Sequence, residues 1–280
     1  MTAIGWRAPQ RFHVRWLVAT ALLLGAAGCP ARPPVQRPTP GPSADELRAA
    51  LTARQETIRS MNARVRATSW IGGERLRASV LMLVTRAGQL RFEAEISLQG
   101  TVSILTTDGG RFSLLDLQKN ELHRGPACPA NVASLIRIPL SPVEVAAILL
   151  GDVKLDADAD EQKVEVIWDD ARGADVLEVS ARNGLRTRLF FQEHGKERDL
   201  VGVIHEDRGG IRWQTAYDDL RPIAGARLPA VIRFAEGKDS FDQGVEIKFK
   251  DVTVNGTPRP EDFTIAVPPG VTVHNDGCGP

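Results

Sequence analysis

Along most of the chain, apolar and polar residues alternate with a period of two, the pattern of β-strands that have one buried and one solvent-facing side. The pattern is clearest in residues 88–110, where apolar side chains fall on every second position: Leu90, Phe92, Ala94, Ile96 and Leu98. Gln99 and Gly100 then turn the chain into a second apolar strand. We therefore predict two adjacent antiparallel strands that share one apolar face.

Comparable segments recur in residues 62–123 and again in residues 164–251. Short turn signals such as Asn183-Gly184 separate them. Even spacing and short connections are typical of an antiparallel meander, so the sequence predicts a mainly β domain of about eleven strands. Residues 274–280 lack the pattern, and we expect them to form a loosely held tail.

Two segments have helical rather than strand character. Residues 44–61 carry an apolar stripe, and Ser43 with Glu46 forms a capping box at its start. Residues 143–150 are apolar on most sides and are preceded by Ser141, a good N-cap. A helix that is apolar all round must be buried, so we expect the second helix to cover the sheet as a short lid.

The first 28 residues have the features of a signal peptide, with three arginines, no acidic residue and a short apolar run. The run ends in small residues directly before Cys29, which resembles a bacterial lipobox, where the new N-terminal cysteine receives lipid such as palmitate. An ordinary secretory signal with an incidental cysteine is the alternative. Pro30 after Cys29 is compatible with outer-membrane sorting. Residues 29–43 are rich in proline and predict an extended tether, which leaves residues 44–280 for the folded domain.

Composition and charge restrict the partners. The 280 residues are 42% apolar and 25% charged, as in a globular protein with a full core. Without residues 1–28 the chain keeps 32 basic and 35 acidic residues, a net charge of −3. A basic nucleic-acid footprint is therefore absent, and we expect no nucleic-acid partner. In an oxidising compartment Cys128 and Cys278 form either a disulfide or two separate thiols.

The sequence offers no set of residues that predicts catalysis, metal binding or a cofactor. Asp156, Asp158 and Asp160 resemble a calcium loop, but the required glycine is missing and Ile167 stands at the last ligand position. A solvated acidic loop is the favoured interpretation. The histidines show no metal-ligand spacing along the chain, and no nucleophile elbow or phosphate-binding loop occurs. We therefore expect a protein that is not an enzyme and has no catalytic residue, metal or cofactor.

Two short segments carry a resemblance to a known family. Residues 138–141, Ile-Pro-Leu-Ser, lead into the apolar segment 143–151 that ends in Leu-Gly, and residues 96–100 place a leucine beside a glycine. Both segments resemble the LolA/LolB lipoprotein-localisation superfamily, and the chain looks most similar to its LolB-like outer-membrane lipoproteins. The resemblance implies a half-open antiparallel β-barrel, closed by helices, with an apolar cavity. Leu98 matches the exposed leucine of the family's membrane-transfer loop, although Ser97 stands where the family has proline.

The resemblance also implies a function and partners. The protein would be a monomeric chaperone, lipid-anchored in the outer membrane and facing the periplasm. It would bind the acyl chains of lipoproteins or lipids, receive cargo from a periplasmic LolA-like carrier and assist insertion into outer-membrane lipid. Together with the period of two, the resemblance predicts cavity-lining side chains: Trp70, Val80, Met82, Leu90, Phe92, Ile96, Val145 and Leu149. The alternative is a structural envelope lipoprotein of the same fold, with a filled core and a protein partner.

Overall fold

The computed structural model describes residues 35–37, 40–71, 74–96, 99–155, 161–237 and 240–278. It contains three α-helices and one short 3-10 helix among these residues, which are α1 (Ala44–Thr57), α2 (Pro129–Ile136), α3 (Pro142–Leu149) and the 3-10 helix Pro260–Phe263.

The described strands follow the chain as three groups. Before α2 lie β1 (Ser60–Ile71), β2 (Glu74–Thr85), β3 (Leu90–Ile96), β4 (Gly100–Thr107), β5 (Arg111–Asp116) and β6 (Glu121–Pro126). After α3 come β7 (Glu161–Asp169), β8 (Ala174–Ala181), β9 (Arg186–His194), β10 (Glu197–Asp207), β11 (Gly210–Ile223), β12 (Ala226–Glu236) and β13 (Val245–Val254). The last described strand is β14 (Thr272–Asn275).

All fourteen described strands form one sheet, in the order β14-β6-β5-β4-β3-β2-β1-β13-β12-β11-β10-β9-β8-β7. The antiparallel β1–β13 pair joins the two halves of the chain, while β14 and β7 remain as edges. Buried side chains from α1, α3 and strands of both halves share one core, so the sheet must curve around these helices. The prediction of a mainly β, half-open antiparallel barrel with helical parts is confirmed, although the described strands outnumber the eleven expected.

The two predicted helices form where the caps indicate. Ser43 accepts a hydrogen bond from the backbone N–H of Glu46, and Ser141 does the same for Glu144, which completes a capping box in both cases. The first helix ends at Thr57 rather than at residue 61. Its predicted last turn belongs to β1 instead, because pairing on both sides with β2 and β13 satisfies that backbone better than one more helical turn.

The C-terminal segment is not a loose tail, contrary to the expectation. β14 pairs with β6 in the parallel sense, and Cys278 forms a disulfide with Cys128 at a Cα–Cα distance of 6.0 Å. Gly125 on β6 makes this approach feasible, because a Cβ there would lie 2.3 Å from the carbonyl oxygen of Asp276. Parallel pairing between segments about 150 residues apart leaves no local sequence signal.

A buried carboxylate holds the far end of α3. Asp152, fully buried, accepts hydrogen bonds from Arg86 Nη1 (2.8 Å), the N–H of Val153 (2.7 Å) and Gln55 Nε2 of α1 (3.3 Å). Its carbonyl oxygen accepts from the hydroxyl of Tyr217 on β11 (2.6 Å). Burial raises the pKa of the Asp152 carboxyl, and the Arg86 guanidinium partly opposes that rise. Asp152 thus connects α1, α3, the β2–β3 turn and β11.

Replacing Asp152 with asparagine should change the pH dependence of stability. The pKa of Asp152 is raised above its ordinary 3.8 in the folded chain, so that chain holds the proton at pH values where the unfolded chain has lost it. This carboxyl therefore stabilises the fold most at low pH, and its contribution falls as pH rises above about 4. Urea unfolding of both proteins between pH 4 and pH 7 should show the wild type losing stability relative to Asp152→Asn. Parallel stability curves would contradict the raised pKa.

Candidate functional site

An apolar cavity of about 340 Å³ lies on the inner face of the sheet. Strands β1, β2, β3, β4 and β13 supply most of its wall, and residues 134–138 of α2 and the following turn close another side. Its lining is mostly aliphatic: Val65, Ala67, Leu76, Ala78, Val80, Met82, Phe92, Ala94, Ile96, Val102, Leu135, Ile136, Ile138, Leu149, Val245 and Ile247. The volume is within the range of roughly 300–1,000 Å³ that small-molecule sites occupy.

Small side chains at paired positions create this space. Ala67 of β1 lies opposite Ala78 of β2, and Ala94 of β3 lies opposite Val80 of β2. Directly opposed positions have their Cβ atoms about 5 Å apart, so three alanines on neighbouring strands leave a gap that larger side chains would fill. The size of the side chains on these strands, as well as their polarity, therefore creates the cavity.

The mouth of the cavity lies between two hairpin ends and α2. Leu76 and Ile96 are 49% and 43% exposed there, which is unusual for large apolar side chains in this core-facing pattern. Arg77 and Arg137 also border the cavity. Arg137 caps α2 in the left-handed conformation, with φ of 60°. Arg77 lies between the inward-facing Leu76 and Ala78 on β2, so its side chain points to the other face of the sheet. The entrance thus combines exposed apolar groups with the cationic side chain of Arg137.

The predicted lining residues fall into two groups. Val80, Met82, Phe92, Ile96 and Leu149 border the cavity. Leu90 and Val145 are fully buried in the surrounding core and do not border it. Trp70 is half-buried near the end of β1, with the Arg75 guanidinium over its ring at 5.4 Å, and is not among the lining side chains either.

Some predicted positions lie outside the described residues. These are Cys29, the signal peptide 1–28, Leu98 with its neighbour Ser97, and the acidic loop at Asp156, Asp158 and Asp160. Ile96, which borders the cavity, immediately precedes the Ser97–Leu98 step.

Sequence reasoning missed the three alanines, the residues after α2 and the β13 wall. The alternation does place Ala94 on the inner face. Its pairing partners become visible only through the strand register. Val245 and Ile247 alternate correctly along β13, but nothing local shows that β13 pairs with β1.

A charged depression and a cluster of one glutamate and two histidines lie elsewhere on the molecule. A larger depression of about 730 Å³ is lined by charged groups such as Arg91, Glu93, Arg259 and Asp262. Arg91 pairs with Glu93 and Arg259 pairs with Asp262, so these charges already satisfy one another. Separately, Glu121, His123 and His274 meet at the β6–β14 pair, at one edge of the sheet.

Solved structures were compared with the whole fold. A LolA superfamily protein from Nitrosomonas europaea has a TM-score of 0.53 at 11% identity, covering 80% of this chain and 99% of its own. A domain described as an outer membrane lipoprotein-sorting protein, from Vibrio parahaemolyticus, has a TM-score of 0.53 at 11% identity and covers 79% and 95%. The chain has a LolA/LolB-like fold.

A DUF1329 family protein from Desulfovibrio piger matches the same LolA/LolB-like fold, with a TM-score of 0.53 at 12% identity over 79% of this chain and 97% of its own. No protein-family model matches the sequence, and a search of curated proteins gives no match. The resemblance inferred from the sequence is thus confirmed at the level of the fold. Among the described residues, none of the helices has the length and apolar character needed to cross a bilayer.

If the cavity is a true void, adding volume inside it should cost little. Ala94→Leu places extra carbons into the cavity and should leave the free energy of unfolding within about 0.5 kcal/mol of wild type, or raise it. The matched change Ala146→Leu falls in α3, where the side chain is fully buried in the core and borders no cavity. Overpacking there should cost about 1–3 kcal/mol. Urea unfolding measures both, and equal losses would indicate a filled core around Ala94.

Proposed function

We propose that this protein is a membrane-anchored lipoprotein that binds acyl chains in its apolar cavity and assists the insertion of lipoproteins or lipids into the outer membrane. The observation that carries the proposal is an aliphatic cavity of about 340 Å³ whose mouth exposes Leu76 and Ile96. The solved structures of the same fold support it, since one is described as an outer membrane lipoprotein-sorting protein.

The size of the cavity suits one hydrocarbon chain. At roughly 30 Å³ per methylene, about the volume of a water molecule in the liquid, a cavity of about 340 Å³ holds on the order of ten such groups. Each buried methylene contributes about 0.8 kcal/mol, so the chain would gain on the order of 8 kcal/mol. That corresponds to a Kd near 1 µM, tight enough for capture and weak enough for release.

The mouth fits an amphiphile. A chain that enters between Leu76 and Ile96 keeps its head at the surface, beside Arg137. Binding and release need no covalent chemistry, so the proposal requires no catalytic residue, metal or cofactor. Leu98 follows Ile96 by two residues, and we assign it the role of first contact with the membrane.

The anchor and tether complete the proposal. Cys29 would carry the lipid and residues 29–43 would link it to the domain 44–280. Trp168 Nε1 donates to the carbonyl oxygen of Val35 (3.0 Å), and Arg37 pairs with Asp175 (2.7 Å), so residues 35–37 lie along the β7–β8 hairpin. Residues 29–34 separate Cys29 from this contact, and six residues span at most about 20 Å. The domain would therefore work close to the membrane surface, within reach of a single acyl chain.

A scaffold lipoprotein with a protein partner is the second candidate. It shares the anchor and the fold but needs a filled core and no lipid. The three alanines that open the cavity argue against it, because a scaffold gains stability from larger side chains at those positions.

The proposal predicts saturable binding of a fluorescent long-chain fatty acid. The protein would be the tag-free chain without residues 1–28 and with Cys29→Ser. Wild type should bind with a Kd on the order of 1 µM. Ala94→Trp should weaken binding at least tenfold because the indole fills the cavity, whereas Lys250→Trp on the exposed face of β13 should not.

Ala78→Phe serves as a second blocking variant, nearer the mouth, in case Ala94→Trp does not fold. Thermal unfolding with circular dichroism identifies the folded variants. A folded wild type that binds no fatty acid, and that native mass spectrometry repeatedly shows empty when purified from cells, would rule out the acyl-binding function.

The proposed transfer step predicts a different phenotype for Leu98. Leu98→Glu should leave the unfolding temperature and fatty-acid binding unchanged but reduce delivery of a bound fluorescent lipid to vesicles severalfold, because a charged side chain enters the bilayer poorly. Gln99→Glu is the matched control, one position along the same turn, and should transfer normally. If Leu98→Glu unfolds the domain instead, Leu98 belongs to the core and has no transfer role.

A further inference from the structure

A cluster of two histidines and one glutamate lies on the outermost strand pair, away from the cavity. Glu121 and His123 are two residues apart on β6 and therefore point to the same face of the sheet. His274 of β14 is the register partner of His123, so its side chain stands beside that of His123. The parallel pairing of the C-terminal strand thus brings three potential ligands to one spot.

The ligand atoms are close to metal-binding geometry. His123 Nε2 lies 3.7 Å from Glu121 Oε2, and His274 Nε2 lies 3.8 Å from Glu121 Oε1. The ligand atoms of all three residues lie within 4.8 Å of one another. Tetrahedral Zn²⁺ with bonds of 2.0–2.1 Å needs ligand atoms about 3.4 Å apart. Side chains that are 31–41% exposed can close this small difference by rotating.

Two features distinguish the cluster from ordinary surface charge pairs. Asp276 Oδ2 lies 3.1 Å from His123 Nδ1, the nitrogen that faces away from Glu121. A carboxylate on the far nitrogen is the usual device that orients a metal-binding imidazole. His274 Nε2, in turn, is buried and has no hydrogen-bond partner among the described residues. A metal ion would satisfy that nitrogen.

We propose that Glu121, His123 and His274 form a Zn²⁺ site, with Asp276 orienting His123 and water in the fourth position. Two imidazoles and one carboxylate are ligands that suit Zn²⁺ better than the oxygen-seeking Mg²⁺ or Ca²⁺. The ion would join β14 to β6 by bonds from both strands. Cys278 follows two residues after Asp276 and is bonded to Cys128 directly before α2, so the ion and the disulfide would together hold the C-terminal segment in place.

Direct titration of Zn²⁺ into the tag-free chain by calorimetry tests the site. The expected result is one ion per chain. His123→Ala and His274→Ala should each weaken binding at least tenfold, and Asp276→Asn should weaken it by about tenfold while keeping the stoichiometry. His194→Ala, on the exposed end of β9, is the matched control and should bind like wild type.

Substitution with Co²⁺ gives a readout that does not depend on stability. Wild type and His194→Ala should show the visible absorption of cobalt held by nitrogen ligands, and His274→Ala should lose it while circular dichroism reports an intact fold. Absence of binding by the wild type, or unchanged binding by the double variant His123→Ala/His274→Ala, would overturn the proposal. If the single variants do not fold, His274→Gln keeps the side-chain size and tests the same bond.

Discussion

The buried carboxylate of Asp152 is the contact on which the shape of the interior depends. The carboxylate accepts hydrogen bonds from Arg86 and Gln55, and the carbonyl oxygen of Asp152 accepts one from the hydroxyl of Tyr217, so the chain directly after α3 is fixed to α1 and β11. Burial raises the pKa of this carboxyl and the Arg86 guanidinium opposes part of that rise, and removal of one partner of a buried pair commonly costs about 3–5 kcal/mol. The cavity lies between the sheet and residues 134–138, and α3, held in this way, contributes Leu149 to its lining.

The cavity stays open because side chains on the sheet are small. Ala67, Ala78 and Ala94 line neighbouring strands at positions where a larger aliphatic residue would pack against α2. Each alanine gives up dispersion contacts and buried area. A sheet that keeps three such positions together, beside the exposed Leu76 and Ile96, gives up stability for an accessible apolar volume. This trade is typical of binding sites rather than of cores.

The alternation of residues predicted the class of fold and the inward direction of Leu90, Phe92 and Ile96, because a period of two is a local property of a strand. It could not separate Leu90, which is sealed in the core, from Phe92, which borders the cavity, since that depends on neighbours from distant segments. The same limit hid the pairing of β14 with β6. Parallel neighbours about 150 residues apart share no turn, so the meeting of His123 and His274 has no signature in the sequence.

Helix α2 connects the C-terminal segment to one wall of the cavity. Cys128 is the N-cap of α2 and is bonded to Cys278, while residues 134–138, at the other end of this helix, border the cavity. A helix of eight residues is too short to be stable alone, so its position must come from such attachments. The contacts that hold the C-terminal strand against β6 therefore also help to fix the position of α2, which forms one wall of the cavity. If that strand came loose, the disulfide would no longer fix the start of α2, and the residues at the other end of α2 that border the cavity would lose this support.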